Sequence, residues 1–251
     1  LENAGAIFYY ENSVNGSGND EGLMAHEIAH QWFGDCVTEA DWHHIWLSEG
    51  FATYLTSMYL ESVYGATKLA EDMTRTREMV LKFYSRHQAP VIDTTVTNLM
   101  ELLSINSYQK GGWVLHMLRS EIGDENFKKG LSLFFSGYKN SNVLTSDFQH
   151  VMEEVSGKEL DLFFMQWLRK AGQPELKVQF KNNGSSGEIT IEQIQKDLFD
   201  FQLEILVTDS AGEHREKIHV HDRVTHPDLH YRNITALKAD PNVRLLYKLV
   251  E

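Results

Sequence analysis

Lys170-Ala171-Gly172-Gln173-Pro174 is where this chain changes its hydrophobic period. A Gly followed closely by a Pro ends a helix, because glycine accepts a left-handed backbone and proline has no amide proton to continue the ladder. Upstream of it, apolar residues recur at helical spacing: Leu23, Ile28 and Phe33, then Ile45 to Val63, Thr67 to Tyr84, Tyr108 to Ile122, and Phe127 to Phe135. Ser146 and Gln149 read as a capping box for a further helix, and Leu160 to Leu168 as the last one. Residues 12–20 are a cluster of turn formers ending on Asp20, a candidate N-cap for the first helix. Downstream the period falls to two. Leu176, Val178 and Phe180 alternate with polar residues, as do Ile189 and Ile191, the run Phe201 to Val207, and Ile218 with Val220. Asn182-Asn-Gly-Ser-Ser-Gly187 and Ser210-Ala-Gly212 supply the tight turns. The sequence predicts an α+β multidomain chain, with a mostly helical domain over residues 1–171 and a small antiparallel β-sandwich over 172–251.

Composition excludes several classes of function. The chain has 251 residues, 42% hydrophobic and 24% charged, with four prolines, which rules out collagen-like and low-complexity sequences. Lys plus Arg minus Asp plus Glu is 23 − 36 = −13, and no basic patch offsets it, so nucleic acid is not an expected partner. Apolar stretches such as Leu131 to Phe135 fall far short of the roughly 20 residues a membrane span needs. The opening residues show neither a basic nor an apolar targeting region, which predicts a soluble segment and leaves its compartment open. The one cysteine, Cys36, cannot form an internal disulfide and reads as a small buried hydrophobe.

His26-Glu27-Ile28-Ala29-His30 lies inside the first predicted helix. At about 100° per residue, positions four apart return to nearly the same face, so both imidazoles can reach one ion. Glu27, beside them, can take a proton from a water at the open coordination position. With 12 His and 22 Glu in 251 residues, chance alone yields such a pattern about 5% of the time, so a third ligand is required. Glu49 stands nineteen residues after His30, in Trp46-Leu-Ser-Glu-Gly-Phe-Ala52, and demanding it lowers the accidental rate to about 0.4%. Two His and a Glu, with solvent in the fourth place, make a catalytic rather than a structural zinc site.

The chain resembles the aminopeptidase N family of zinc metallopeptidases, gluzincins that include leukotriene A4 hydrolase. The resemblance rests on His26-Glu-Ile-Ala-His-Gln-Trp-Phe-Gly-Asp35, on Trp46 to Ala52, and on two further pieces. Leu1-Glu2-Asn3-Ala4-Gly5-Ala6 is similar to the end of that family's Gly-x-Met-Glu-Asn exopeptidase motif, and Tyr108-Gln-Lys-Gly111 to its Tyr-x-Lys-Gly segment. The resemblance implies a thermolysin-like catalytic domain, one Zn2+ held by His26, His30 and Glu49, and a peptide substrate with a free N-terminus. It implies that Glu27 is the general base, that Tyr108 donates to the oxyanion, and that Glu2 binds the substrate ammonium. Asn3, Ala4 and Gly5 are the remaining substrate-binding candidates, through their backbone. Leu1 replaces the family's Met. The upstream β domain that precedes this motif in the family is expected to complete the cleft. A zinc endopeptidase, an epoxide hydrolase at the same ion and a non-catalytic scaffold are the alternative readings.

The other histidines are expected to stay outside the site. His43 and His44 read as neighbours of the site or surface residues. Strand alternation is expected to scatter His214, His219, His221, His226 and His230 over both faces of the β module. Asn15, Asn183 and Asn233 each begin a glycosylation sequon, a pattern common by chance.

Overall fold

Helix dominates the chain up to Arg169, and strand follows from Glu175, in a computed structural model that describes residues 2–13, 16, 20–183 and 186–250. Leu1, the sequon at Asn15 and part of the sequon and turn after Asn183 lie outside the described residues. The chain divides into two compact units, Leu1–Gly172 and Gln173–Glu251.

Among the described residues the first unit holds seven α-helices: α1 (Glu21–Ala29), α2 (Trp46–Tyr64), α3 (Ala66–Tyr84), α4 (Gly111–Ile122), α5 (Asp124–Tyr138), α6 (Thr145–Ser156) and α7 (Asp161–Phe164). It also holds two short strands, β1 (Val37–Glu39) and β2 (Ser141–Val143), which pair in parallel with Val37 opposite Ser141. The core is aromatic. Phe51 packs against Phe33 and Phe148 at ring-centroid distances of 4.8 and 4.9 Å, and Phe134 lies 5.1 Å from Phe148. Each such buried ring contributes about 1.5–3 kcal/mol by leaving water. The capping box expected at Ser146 and Gln149 is absent. Asp147 instead accepts the Leu144 amide at 2.7 Å, so the cap moves two residues earlier, to Leu144, and α6 begins at Thr145.

Two glycines set the crossing of α2 and α4. A Cβ built on Gly50 falls 2.9 Å from the Gly111 Cα, and one on Gly111 falls 3.0 Å from the Gly50 Cα. The two backbones touch there, which no larger residue permits. Gly50 follows Glu49 directly, and Gly111 comes three residues after Tyr108. The crossing therefore fixes how far apart those two side chains stand.

Among the described residues the second unit has seven strands in two sheets. β3 (Glu175–Asn183), β4 (Ser186–Gln193), β7 (Val224–Thr225) and β9 (Lys248–Leu249) form one sheet in the order β7-β4-β3-β9. β5 (Phe201–Asp209), β6 (Gly212–Val220) and β8 (Ala236–Ala239) form the other, in the order β6-β5-β8. Phe201, Leu203, Ile205 and Val207 are all buried along β5, and the residues between them are not, as the period of two requires. The pairings are antiparallel except β3 with β9, which runs parallel. The expected turn at Ser210-Ala-Gly212 forms, with Asp209 opposite Gly212 and the Asp209 carboxylate accepting the Ala211 amide at 2.7 Å. Among the described residues no helix is long and apolar enough to cross a membrane.

Candidate active site

α1 presents His26, and His30 follows on the same face as its C-cap residue, while α2 brings Glu49 against them. The two Nε2 atoms are 3.1 Å apart, and each lies 3.3 Å from the Glu49 Oε2. His30 and Glu49 are buried and His26 half-buried. Among the described residues these three form the one group of His, Cys, Asp or Glu side chains whose donor atoms lie close enough for a metal, all within 4.8 Å. The tautomer of His30 follows from its other nitrogen. Nδ1 lies 3.2 Å from the Phe33 carbonyl, which can only accept, so Nδ1 carries a proton and Nε2 is the nitrogen that faces the cluster. Ser48 Oγ, 3.1 Å from the same Nδ1, closes that side.

Gly34 makes this packing possible. Its φ is +129°, and a Cβ there would sit 2.6 Å from Ser48 Oγ and 2.9 Å from His30 Nδ1. Any other residue would push the ring away.

Tyr108 enters from the π-helical turn Asn106–Lys110 that leads into α4. Turns of this kind recur at functional sites because the extra residue re-aims a side chain. The Tyr108 hydroxyl donates to the Glu49 Oε1 at 2.7 Å, and its ring stacks on His26 with centroids 6.0 Å apart. Lys110 anchors the turn from inside. Its fully buried Nζ donates to the Tyr84 hydroxyl at 2.9 Å and to the Gly172 carbonyl at 2.8 Å, and burial draws its pKa down to about 7.

The electrostatics of the cluster are dominated by carboxylates. Burial pushes Glu49 up, but the imidazoles of His26 and His30 and the Tyr108 hydroxyl, all aimed at it, outweigh burial and bring it down to about 2. His30 is made less basic by burial and more basic by Glu49, the Phe33 carbonyl and Glu2; the second set prevails. Tyr108 is raised by burial first, then by its bond to Glu49 and by the charges of Glu49, Glu2 and Glu27. It remains a neutral donor across the physiological range.

The other residues expected from the sequence fall as follows. Glu27 is buried on α1 one residue from His26, and its charge is felt at Tyr108 and Tyr9. Glu2 precedes a turn in which the Ala6 amide donates to the Asn3 carbonyl at 2.9 Å, with Ala4 and Gly5 at its tip. The Glu2 charge adds to the upward shifts of His30, Asp35, Glu39 and Tyr108. His43 turns elsewhere, to Asp41 at 2.7 Å and the Val96 carbonyl at 3.2 Å. His44 is buried against Thr145 Oγ1 at 2.7 Å. Cys36 is only partly buried and lies 3.6 Å from the Asn140 side-chain oxygen.

Four residues at the site escape sequence reasoning. Gly34 and Gln31 lie within the motif that carries the resemblance, and Ser48 precedes Glu49, so adjacency alone could have drawn attention to them. Glu39 on β1 had no such signal. Its carboxyl is raised mainly by burial, with Glu49 and Glu2 adding to the effect, and its Oε2 is buried without a hydrogen-bond partner.

Comparison with known proteins agrees with this architecture. Residues 1–167 match the model of the Peptidase family M1 domain, and the chain belongs to that family. It is 33% identical over 207 residues to Aminopeptidase M1-D of Oryza sativa subsp. japonica, covering 78% of this chain and 23% of the relative. It is 32% identical over 205 residues to Probable aminopeptidase 2 of Sulfurisphaera tokodaii, covering 77% of this chain and 26% of that protein. The chain thus spans about a quarter of the length of the curated relatives it matches. In fold it is similar to Legionella pneumophila aminopeptidase A, solved in complex with aspartic acid. The TM-score is 0.74 at 23% identity, over 92% of this chain and 27% of the other.

Proposed function

We propose that this chain carries the catalytic domain of a zinc aminopeptidase, which hydrolyses the first peptide bond of a substrate with a free N-terminus. In this reading the catalytic domain spans residues 1–171 and the β-sandwich 172–251, with further walls of the cleft supplied by the β domain that precedes the motif in the family. The observation that carries it is the convergence of His26, His30 and Glu49. Two imidazole nitrogens and an orphaned, buried carboxylate oxygen face one another at 3.1 to 3.3 Å. Donor atoms this close need a positive charge shared among them, a proton or a metal ion, and two nitrogens with one oxygen suit Zn2+. Bound there, Zn2+ would supply Lewis acidity toward the peptide carbonyl and make a water acidic enough to attack at neutral pH.

The chain's own residues supply the rest. Glu27 takes a proton from the attacking water and passes it to the leaving amine. Tyr108, held neutral, donates its hydroxyl to the oxyanion as charge develops on the carbonyl oxygen. Glu2 receives the substrate ammonium in a charge-assisted hydrogen bond, which restricts cleavage to the terminal residue. The backbone of Asn3, Ala4 and Gly5 lines the path of the peptide.

Metal analysis combined with an aminoacyl-chromophore assay tests the reading. One Zn2+ per chain, hydrolysis abolished by a chelator, and failure to cleave the N-acetylated substrate are expected. Equal cleavage of free and acetylated peptides would overturn the exopeptidase assignment in favour of an endopeptidase.

A further inference from the structure

The segment that carries Glu2 has no regular secondary structure, so something else must fix its place against α1. Among the described residues one side chain makes several of those contacts around Glu2. Gln31, next to His30, accepts the Gly5 amide on its Oε1 at 2.8 Å. Its Nε2 faces the carbonyls of Glu2 and Asn3 at 3.3 and 3.4 Å, and donates to the Asp35 Oδ2 at 2.6 Å. A single amide thus grips both arms of the turn from Asn3 to Ala6.

The arrangement has a built-in polarity. An ionised carboxylate only accepts, so Asp35 compels the Gln31 amide to present its nitrogen on that side. The oxygen is then left for Gly5, and the amide cannot flip without breaking its shortest bond. Gly5 complements this, because its φ of +69° turns its amide toward Gln31 at an angle that residues with a side chain rarely adopt. Asp35 is itself tied to the helix terminus, its amide donating to the His30 carbonyl at 2.9 Å. An unbroken set of contacts therefore runs from the His30 backbone through Asp35 and Gln31 to the backbone of Glu2.

We infer that Gln31 is the positioning residue that sets the distance between the Glu2 carboxylate and the metal donors, with Asp35 fixing its orientation. This deepens the aminopeptidase reading and rests on it. The distance from ammonium to scissile carbonyl spans one amino-acid residue, so the anchor must stand at a fixed separation from the ion. Gln31 supplies that spacing, and with it the preference for a free amine. It touches no substrate.

The test compares Gln31→Met, Glu2→Gln and the double variant in the zinc-loaded chain, on a leucyl-chromophore substrate and its N-acetyl form. With the hydrogen bonds to the Glu2 segment lost, Gln31→Met should raise KM for the free-amine substrate about tenfold. The loss should fall on KM more than on kcat, with zinc stoichiometry kept. Combined with Glu2→Gln it should add little, because both changes act through one contact to the ammonium. A purely structural role would lower the thermal midpoint and leave the preference for free over acetylated substrate untouched. Asp35→Ala provides a second route should Gln31→Met fail to fold, and it is expected to show the same shift in KM at smaller size. Full free-amine preference in both variants, or additivity with Glu2→Gln, would overturn the inference. A wild type indifferent to acetylation would instead overturn the aminopeptidase reading itself, and the inference with it.

Discussion

α1 carries two histidines four residues apart, and β6 with the turn after it carries three, at positions 214, 219 and 221, yet only the helical pair converges with a third donor. Each of these three takes an acid of its own: His214 with Asp209 at 3.1 Å, His219 with Asp200 at 2.6 Å, and His221 with Asp222 at 3.3 Å. His219 and His221 are half-exposed or more, and their rings lie 4.7 Å apart without a shared acid between them. His30, by contrast, is 1% exposed and shares Glu49 with His26. Density of histidine in sequence is therefore a poor guide to a metal site. Burial is what raises the cost of leaving lone pairs unmatched, and a donor from a second element is what closes the polyhedron.

Breaking the helical cluster gives the largest expected effect. His30→Ala should reduce zinc affinity by more than the roughly 10–100-fold typical of residues that merely orient a ligand, and abolish hydrolysis. Metal content at equilibrium with a competing chelator measures this. Retained stoichiometric zinc would mean that the ion sits elsewhere and that the contrast between the two histidine sets is false. Glu27→Gln separates binding from chemistry. Zinc should stay at one per chain while turnover falls by roughly 10²–10⁴, the usual worth of a general base. Persistence of near-wild-type activity would place the base on another residue.

The contrast also shows which parts of the molecule could be read in advance. Helical spacing is local, so His26 and His30 were legible as a pair from a period of 3.6, and β5 from the alternation of Phe201, Leu203, Ile205 and Val207. The change of period at Gly172 separated a helical segment from a strand segment for the same reason. Glu49 was reached as the third donor the pair requires, from its offset to His30, whereas Tyr108 needed the resemblance, because nothing local says that residue 108 meets residues 26 and 49. What stayed hidden depends on contacts between distant backbones. The parallel pairing of β1 with β2 joins two three-residue strands about a hundred positions apart, too short for any periodic signal. The π-helical turn under Tyr108 differs from an α-helix by one inserted residue, and the hydrophobic pattern tolerates both. Gln31 and Asp35 read as ordinary polar residues until the Glu2 segment is laid against them.

The next effect in size tests whether the helical site depends on backbone spacing. Tyr108→Phe should lower kcat by about a hundredfold with little change in KM, since a bond to a developing oxyanion matters mainly in the transition state. An effect confined to KM would refute that role. Gly111→Ala forces α4 away from Gly50 and should cost about 1–3 kcal/mol of stability through overpacking. Because the zinc donors lie on α1 and α2, the metal should remain while kcat drops toward the Tyr108→Phe level. The double variant should then be little worse than Tyr108→Phe alone. Gly112→Ala is the control, since its Cβ meets the Thr53 methyl at 3.2 Å, a side-chain end that can turn aside. If Gly111→Ala and Gly112→Ala behave alike, the close crossing is not what positions Tyr108.

The smallest expected effect comes from the β unit, and it decides whether the opening contrast holds. His219→Ala with His221→Ala removes both histidines whose rings approach each other there. Exposed ion pairs contribute roughly 0–1 kcal/mol, because water and side-chain entropy offset most of the attraction. Zinc content should therefore be unchanged, and the unfolding free energy should move by no more than about 1 kcal/mol. Any stabilisation the pairs with Asp200 and Asp222 provide should fade in high salt. A loss of zinc in this double variant would show that exposed histidines on a strand can hold an ion without a buried acid, and the argument from burial would have to be replaced by one from local spacing.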